Sequence, residues 1–154
     1  MLYVEDDNGI RTNIEEILIH LFKNTVTAKN TTEAYSLYQE HKPDLIITDI
    51  KMPGENGIEF IKKIRKTDSK VRVIITSAHT DLEYMLEVVQ LHLIKYIIKP
   101  ITEEKLMEAL SSFVKSYSKH TVYNLAENIF LTTVNQHLQM DKKSFNSRKK
   151  RIVF

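Results

Sequence analysis

The chain has 154 residues, 42% of them apolar and 27% charged, with 22 Lys+Arg against 20 Asp+Glu and no cysteine. That length suits about one domain with a real core, and the missing thiols exclude disulfides, thiolate zinc sites, iron–sulfur clusters and cysteine nucleophiles. Gly9, Gly54 and Gly57, its three glycines, cannot build a G-x-G-x-x-G fingerprint or a Walker loop; no apolar run nears the roughly 18 residues of a membrane span, and the acidic turn at Glu5 argues against a secretory leader.

Leu2–Val4 reads as a first strand that runs into Glu5-Asp6-Asp7. Ile10, Ile14, Ile17, Leu18, Leu21 and Phe22 then recur at helical spacing, and Asp7 with Asn8 stands where a cap belongs. Residues 25–28 form a second strand. Asn30 with Glu33 makes a capping-box-like start for a helix through Ala34, Leu37 and Tyr38, which Pro43 stops. Residues 45–48 are a third strand, ending at Asp49, followed by a helix on Ile58, Ile61 and Ile64. Residues 71–76 are a fourth strand, ending at Ser77, followed by a helix on Leu82, Met85, Leu86 and Val89. Lys95–Ile98 is a fifth strand, ending at Lys99-Pro100. A last helix carries Leu106, Leu110, Phe113 and Val114, with Thr102 as its cap.

Alternation of strand and helix predicts a doubly wound α/β fold with helices on both faces of a parallel sheet. The continuous runs Leu45-Ile46-Ile47 and Val73-Ile74-Ile75 suit central strands covered on both sides. In such folds the functional groups gather at the carboxyl ends of the strands. There the sequence puts Glu5, Asp6, Asp49, Ser77 and Lys99. Clustered carboxylates repel unless a cation joins them. An oxygen-only donor set suits Mg²⁺, and a lysine beside it makes sense for an arriving phosphoryl group.

Four segments carry a resemblance: Leu2-Tyr3-Val4-Glu5-Asp6-Asp7, residues 43–53 (PDLIITDIKMP), Ile75-Thr76-Ser77-Ala78 and Tyr96-Ile97-Ile98-Lys99-Pro100. In this order and spacing they resemble the receiver domain of two-component response regulators, over residues 1–117. The resemblance implies a flavodoxin-like five-stranded parallel sheet of order 2-1-3-4-5 with five helices. It implies that a histidine kinase or phosphotransfer protein donates a phosphoryl group to Asp49 in a Mg²⁺-dependent reaction. Glu5, Asp6, Asp49 and the backbone carbonyl of Lys51 are then the metal ligands, with Glu5 acting through water. Lys99 contacts the phosphoryl oxygens, through a cis Lys99–Pro100 peptide. Ser77 bonds the phosphoryl group, standing where Thr is commoner, and Tyr96 reports that movement by changing rotamer. Lys51 and His79, two residues past Asp49 and Ser77, stand where they would tune the lifetime of the phosphate. The chain takes part only in its own phosphorylation and dephosphorylation, and a cytoplasmic location is expected. Where OmpR/PhoB-type receivers carry a Gly-Ala-Asp-Asp-like stretch, this chain has His92-Leu93-Ile94-Lys95. Lys95 reverses a charge used in their dimer, which argues against that dimer face and leaves a homodimer open.

Two other readings are kept. A small Mg²⁺-dependent hydrolase would use Asp49 on outside substrates, but Lys51 stands where a second aspartate is usual. A receiver that signals without phosphate, as an interaction module, would have no need of the intact acidic set.

Charge separates the two ends of the chain. Residues 1–117 hold 15 Lys+Arg and 18 Asp+Glu, residues 118–154 hold 7 and 2. The basic segment alternates at Ile129, Leu131 and Thr133, then at Leu138 and Met140, with a turn at Asp141-Lys142-Lys143. This predicts a β-rich extension similar to the hairpins that open an OmpR/PhoB-type winged helix, hence a truncated output domain, or else an extension packed on the receiver or on a neighbouring chain. No recognition helix follows, so DNA binding by this chain is not expected.

Overall fold

In a computed structural model, residues 1–78 and 87–118 are described, and Met1–Ser116 form one compact unit. Its strands are β1 (Leu2–Val4), β2 (Val26–Ala28), β3 (Leu45–Asp49), β4 (Arg72–Ser77) and β5 (Lys95–Ile98). The helices are α1 (Asn8–Leu21), α2 (Thr31–His41), α3 (Gly57–Arg65) and α4 (Glu103–Ser118). α4 is the helix that the sequence places fifth. Residues 87–89 are helical, at the end of the expected fourth helix; its positions Leu82, Met85 and Leu86 lie outside the described residues. So do His79 and the extension from residue 119 onward.

The five strands are parallel throughout, in the order β2-β1-β3-β4-β5. This is the order the resemblance implied. β3 is buried at every position, as its unbroken apolar run requires of a strand covered on both sides. On one face Leu2, Val4, Ile46, Val73 and Ile75 join Tyr38 of α2 and Ile58, Phe60, Ile61 and Ile64 of α3 in a single cluster. By the two-residue period, Tyr3, Ile47 and Ile74 point to the opposite face. Ile14 and Leu18 of α1 and Leu106, Ala109 and Leu110 of α4 are also buried outside that cluster.

Side-chain caps start the helices. Asp7 Oδ1 accepts from Ile10 N at 2.8 Å, Asn30 Oδ1 from Glu33 N at 2.8 Å, and Asn56 Oδ1 from Glu59 N at 2.9 Å. Thr102 Oγ1 accepts from Lys105 N at 3.3 Å. Each satisfies a donor that the first helical turn leaves unpaired. α2 ends at His41, and Lys42 takes a left-handed φ of 43° before Pro43, because the residue preceding a proline is disfavoured in the right-handed helical region. Three strands differ by a residue from expectation. β2 begins at Val26, with the Thr25 hydroxyl donating to the Leu18 carbonyl at 3.4 Å. β3 runs one residue further, through Asp49, and β4 is shifted by one residue at each end, to Arg72–Ser77.

The register aligns the carboxyl ends. Val4 lies between Ala28 and Thr48, Asp49 lies opposite Thr76, and Ser77 opposite Ile98. Backbone bonds continue past the strands: Glu5 N donates to Ala28 O at 3.1 Å, Ile50 N to Thr76 O at 3.0 Å, and Lys99 N to Ser77 O at 2.8 Å. The first residues beyond β1, β3 and β5 are therefore tied at their amides to the neighbouring strand.

Candidate functional site

β1 delivers Glu5 and Asp6, β3 delivers Asp49 and β5 delivers Lys99 to one pocket. Glu5 is 1% exposed and Asp49 5%; Asp6 is partly open to solvent. One carboxylate oxygen from each of Glu5, Asp6 and Asp49 lies within 4.8 Å of the others. Lys99 Nζ donates to Asp49 Oδ2 at 2.7 Å and to Glu5 Oε1 at 3.0 Å. The Lys99–Pro100 peptide is cis.

Three carboxylates thus face one ammonium. Burial pushes the Glu5 carboxyl above its usual pKa; Lys99 opposes this, while Asp49 and Asp6 reinforce it. Burial also works against the charge on Lys99, but its hydrogen bonds to Asp49 and Glu5 outweigh that and hold its pKa above the ordinary lysine value. Lys99 is accordingly an ammonium at neutral pH. Tyr3 lies beneath, wholly buried, with its hydroxyl 3.4 Å from Glu5 Oε2. Burial, and then the neighbouring Glu5 charge, push its phenol well above the usual pKa.

A hard divalent cation fits this donor set. The ligands are all oxygens, and Asp49 Oδ1 is buried with no hydrogen-bond partner. A buried acceptor without a partner carries a desolvation penalty of about 1–3 kcal/mol, which a metal ligand would relieve.

Ser77 closes β4 at 1% exposure, next to the strand of Asp49. Tyr96, opposite Ile75 on β5, is half-buried and packs against the hydrophobic cluster. Lys51 is exposed in the loop after β3. Lys95 Nζ meets Glu108 Oε1 at 2.6 Å, so the reversed charge on β5 has a partner on α4. His92 has a φ of 51°, where the compared stretch begins with glycine; a left-handed conformation suits glycine and strains most other residues.

Residues outside the motifs also shape the pocket. Arg11 binds the carbonyls of Glu5 and Asp6. Lys105 Nζ donates to the carbonyls of Ile98 at 2.7 Å and Pro100 at 3.1 Å, on either side of Lys99. Gly57 N donates to Ile50 O at 2.9 Å, and a Cβ at Gly57 would drive into the Asp49 carbonyl. The only signal in the sequence was Gly57 itself, one of three glycines, placed at a helix start. Arg11 and Lys105 carry no comparable signal in the sequence.

The described fold and pocket have close relatives. A family model described as the response regulator receiver domain matches residues 1–111. The transcriptional regulatory protein HptR of Staphylococcus aureus is 36% identical over 115 residues, 73% of this chain and 45% of that protein. The chain thus spans about half the length of the curated relatives it matches. A response regulator receiver domain protein from Clostridium thermocellum superimposes with a TM-score of 0.70 at 27% identity, over 78% of this chain and 97% of that one. The chemotaxis protein CheY4 of Vibrio cholerae gives 0.65 at 27% identity, over 71% and 93%. With the match extending from the first residue through most of α4, the chain belongs to the response regulator receiver domain family.

Proposed function

We propose that this receiver takes a phosphoryl group from a histidine kinase or a phosphotransfer protein onto Asp49, and that the resulting shape change relays a signal. The observation that carries the reading is the state of the Asp49 carboxylate: buried, held by Lys99 through Oδ2, and with Oδ1 unengaged. Glu5, Asp6, Asp49 and the Lys51 carbonyl would hold Mg²⁺. When bound, it supplies positive charge against the carboxylates and the phosphoryl oxygens.

The chain's own groups do the rest. An Asp49 carboxylate oxygen attacks phosphorus, the bond from phosphorus to the donor's imidazole nitrogen breaks, and an acyl phosphate forms. Such transfer depends mainly on positioning and charge. The Lys99 ammonium hydrogen-bonds a phosphoryl oxygen, and a point charge is enough for that. The Ser77 hydroxyl donates to the phosphoryl group once it is present, a contact that exists in one state only and so can shift an equilibrium. Tyr96 then turns inward from β5. Lys51 and His79 set how long the acyl phosphate survives attack by water.

The likeness to HptR, a transcriptional regulatory protein, supports a role in transcription. Among the described residues no helix is long and apolar enough to cross a membrane, in keeping with a cytoplasmic place of action. The internal Lys95–Glu108 pair speaks against a dimer through β5 and α4. The chain is not an enzyme toward outside substrates, so it should show no sustained turnover of p-nitrophenyl phosphate.

Acetyl phosphate with Mg²⁺ tests the reading. Mass spectrometry should find the phosphoryl adduct on the wild type and none on Asp49→Asn. An adduct that persists in Asp49→Asn overturns the assignment.

A further inference from the structure

We infer that Arg11 is a positioning residue for the pocket: its guanidinium sets the backbone of Glu5 and Asp6 so that both carboxylates are presented to the divalent cation. The inference rests on the Mg²⁺ reading given above.

Arg11 Nη1 donates to the Glu5 carbonyl at 2.7 Å and to the Asp6 carbonyl at 3.1 Å, and Nη2 donates to Asn8 Oδ1 at 2.7 Å. One planar group therefore ties together the turn from β1 into α1. That turn needs the support. β1 is three residues long, and its edge bond to β2 at Glu5 N→Ala28 O marks where the ladder stops. Asp6 lies beyond it, with a carboxylate that is partly open to solvent. Arg11 itself sits on the first turns of α1, whose start is fixed by the Asp7 cap. The guanidinium fork thus transmits the position of a rigid helix to the two residues that carry carboxylates.

Neutral donors could satisfy these carbonyls, and a lysine could bring the charge. The rigid planar fork does both across three acceptors, which an ammonium cannot reproduce. Groups that orient metal ligands from behind typically govern affinity strongly.

Charge and position make opposite forecasts. The positive charge of Arg11 repels a second cation. If charge were all that mattered, Arg11→Gln would bind Mg²⁺ more tightly and Arg11→Lys would match the wild type. If Arg11 positions the carboxylates, both variants bind more weakly.

The test is calorimetric titration of the full chain with magnesium chloride, with Asp6→Ala as reference. Positioning predicts that Arg11→Lys and Arg11→Gln weaken Mg²⁺ binding about tenfold. It also predicts faster metal-free amide hydrogen exchange at Asp6 and Asp7, with exchange in β3 unchanged. Should Arg11→Gln not fold, Arg11→Lys decides alone. Unchanged or tighter binding in Arg11→Lys, with Asp6→Ala binding none, overturns the inference and leaves the metal reading standing. A wild type that binds no Mg²⁺ overturns both.

Discussion

The two ends of the sheet solve opposite problems with the same kinds of side chain. At the amino end of β4, Arg65 Nε donates to the Leu91 carbonyl at 3.0 Å, and Nη1 donates to the carbonyls of Asp68 and Val71 at 3.2 and 2.9 Å. The Asp68 carboxylate accepts from the Tyr38 hydroxyl at 2.9 Å and from the amides of Lys70 and Val71 at 2.8 and 3.1 Å. Both Arg65 and Asp68 thus have partners at close range. At the carboxyl end three carboxylates crowd together, Lys99 bonds two of them, Glu5 and Asp49, and Asp49 Oδ1 has no hydrogen-bond partner. The matched end contributes stability. The unmatched end leaves an acceptor unpaired, which on the function proposed above serves a cation and a phosphoryl group, as functional sites do when they break the local rules of good packing.

Gly57→Ala should have the largest effect and blur the comparison. The new methyl meets backbone at Asp49 rather than a movable side chain, so the loop after β3 must shift. Urea unfolding should show a loss of about 3 kcal/mol, and labelling by acetyl phosphate should fall with it. Full labelling in a variant of unchanged stability would show that the loop tolerates the methyl.

Arg65→Met should separate the ends. It leaves three carbonyls without their donor, and we expect a loss of about 2 kcal/mol in urea unfolding. Labelling of Asp49 in the folded protein should stay at the wild-type rate. A slowed rate would mean that the two ends are coupled through β4.

Asp68→Asn is the smallest change and depends on pH. Burial alone would raise the Asp68 pKa, but hydrogen bonds from Lys70, Tyr38 and Val71, with Arg65 nearby, bring it below 3.8. A depressed carboxyl contributes stability above the unfolded value and loses it as pH falls through the folded one. The variant should therefore be less stable than wild type by about 1 kcal/mol at pH 7, with the gap closing as pH falls below 3.8. A gap that persists in acid would assign the effect to packing instead.

Much of this was legible in the residues. The strands declare themselves by apolar runs, and their ends by the first charged or hydroxyl residue after each run, which is how Glu5, Asp6, Asp49, Ser77 and Lys99 were found together. Asp7, Asn30 and Thr102 showed their capping roles because caps act within three residues. Arg11, Lys105 and Gly57 were not legible. Apart from Asn8 Oδ1 on Arg11, their partners are backbone atoms, which leave no mark on the sequence, and the identity of those atoms depends on the path of a loop. His92 lies between these cases: its left-handed φ falls where a glycine was missed in the comparison of motifs, but only coordinates show the strain.

The Lys99 ammonium joins carboxylates that lie 50 and 94 positions away along the chain. The pocket therefore has no local precursor: a growing polypeptide that has made β1 and β3 but not β5 possesses both buried acids and lacks their counter-ion. Until residue 99 arrives, Glu5 and Asp49 cannot both be buried in charged form without a borrowed cation. The complete charge set of the pocket is thus acquired only with β5.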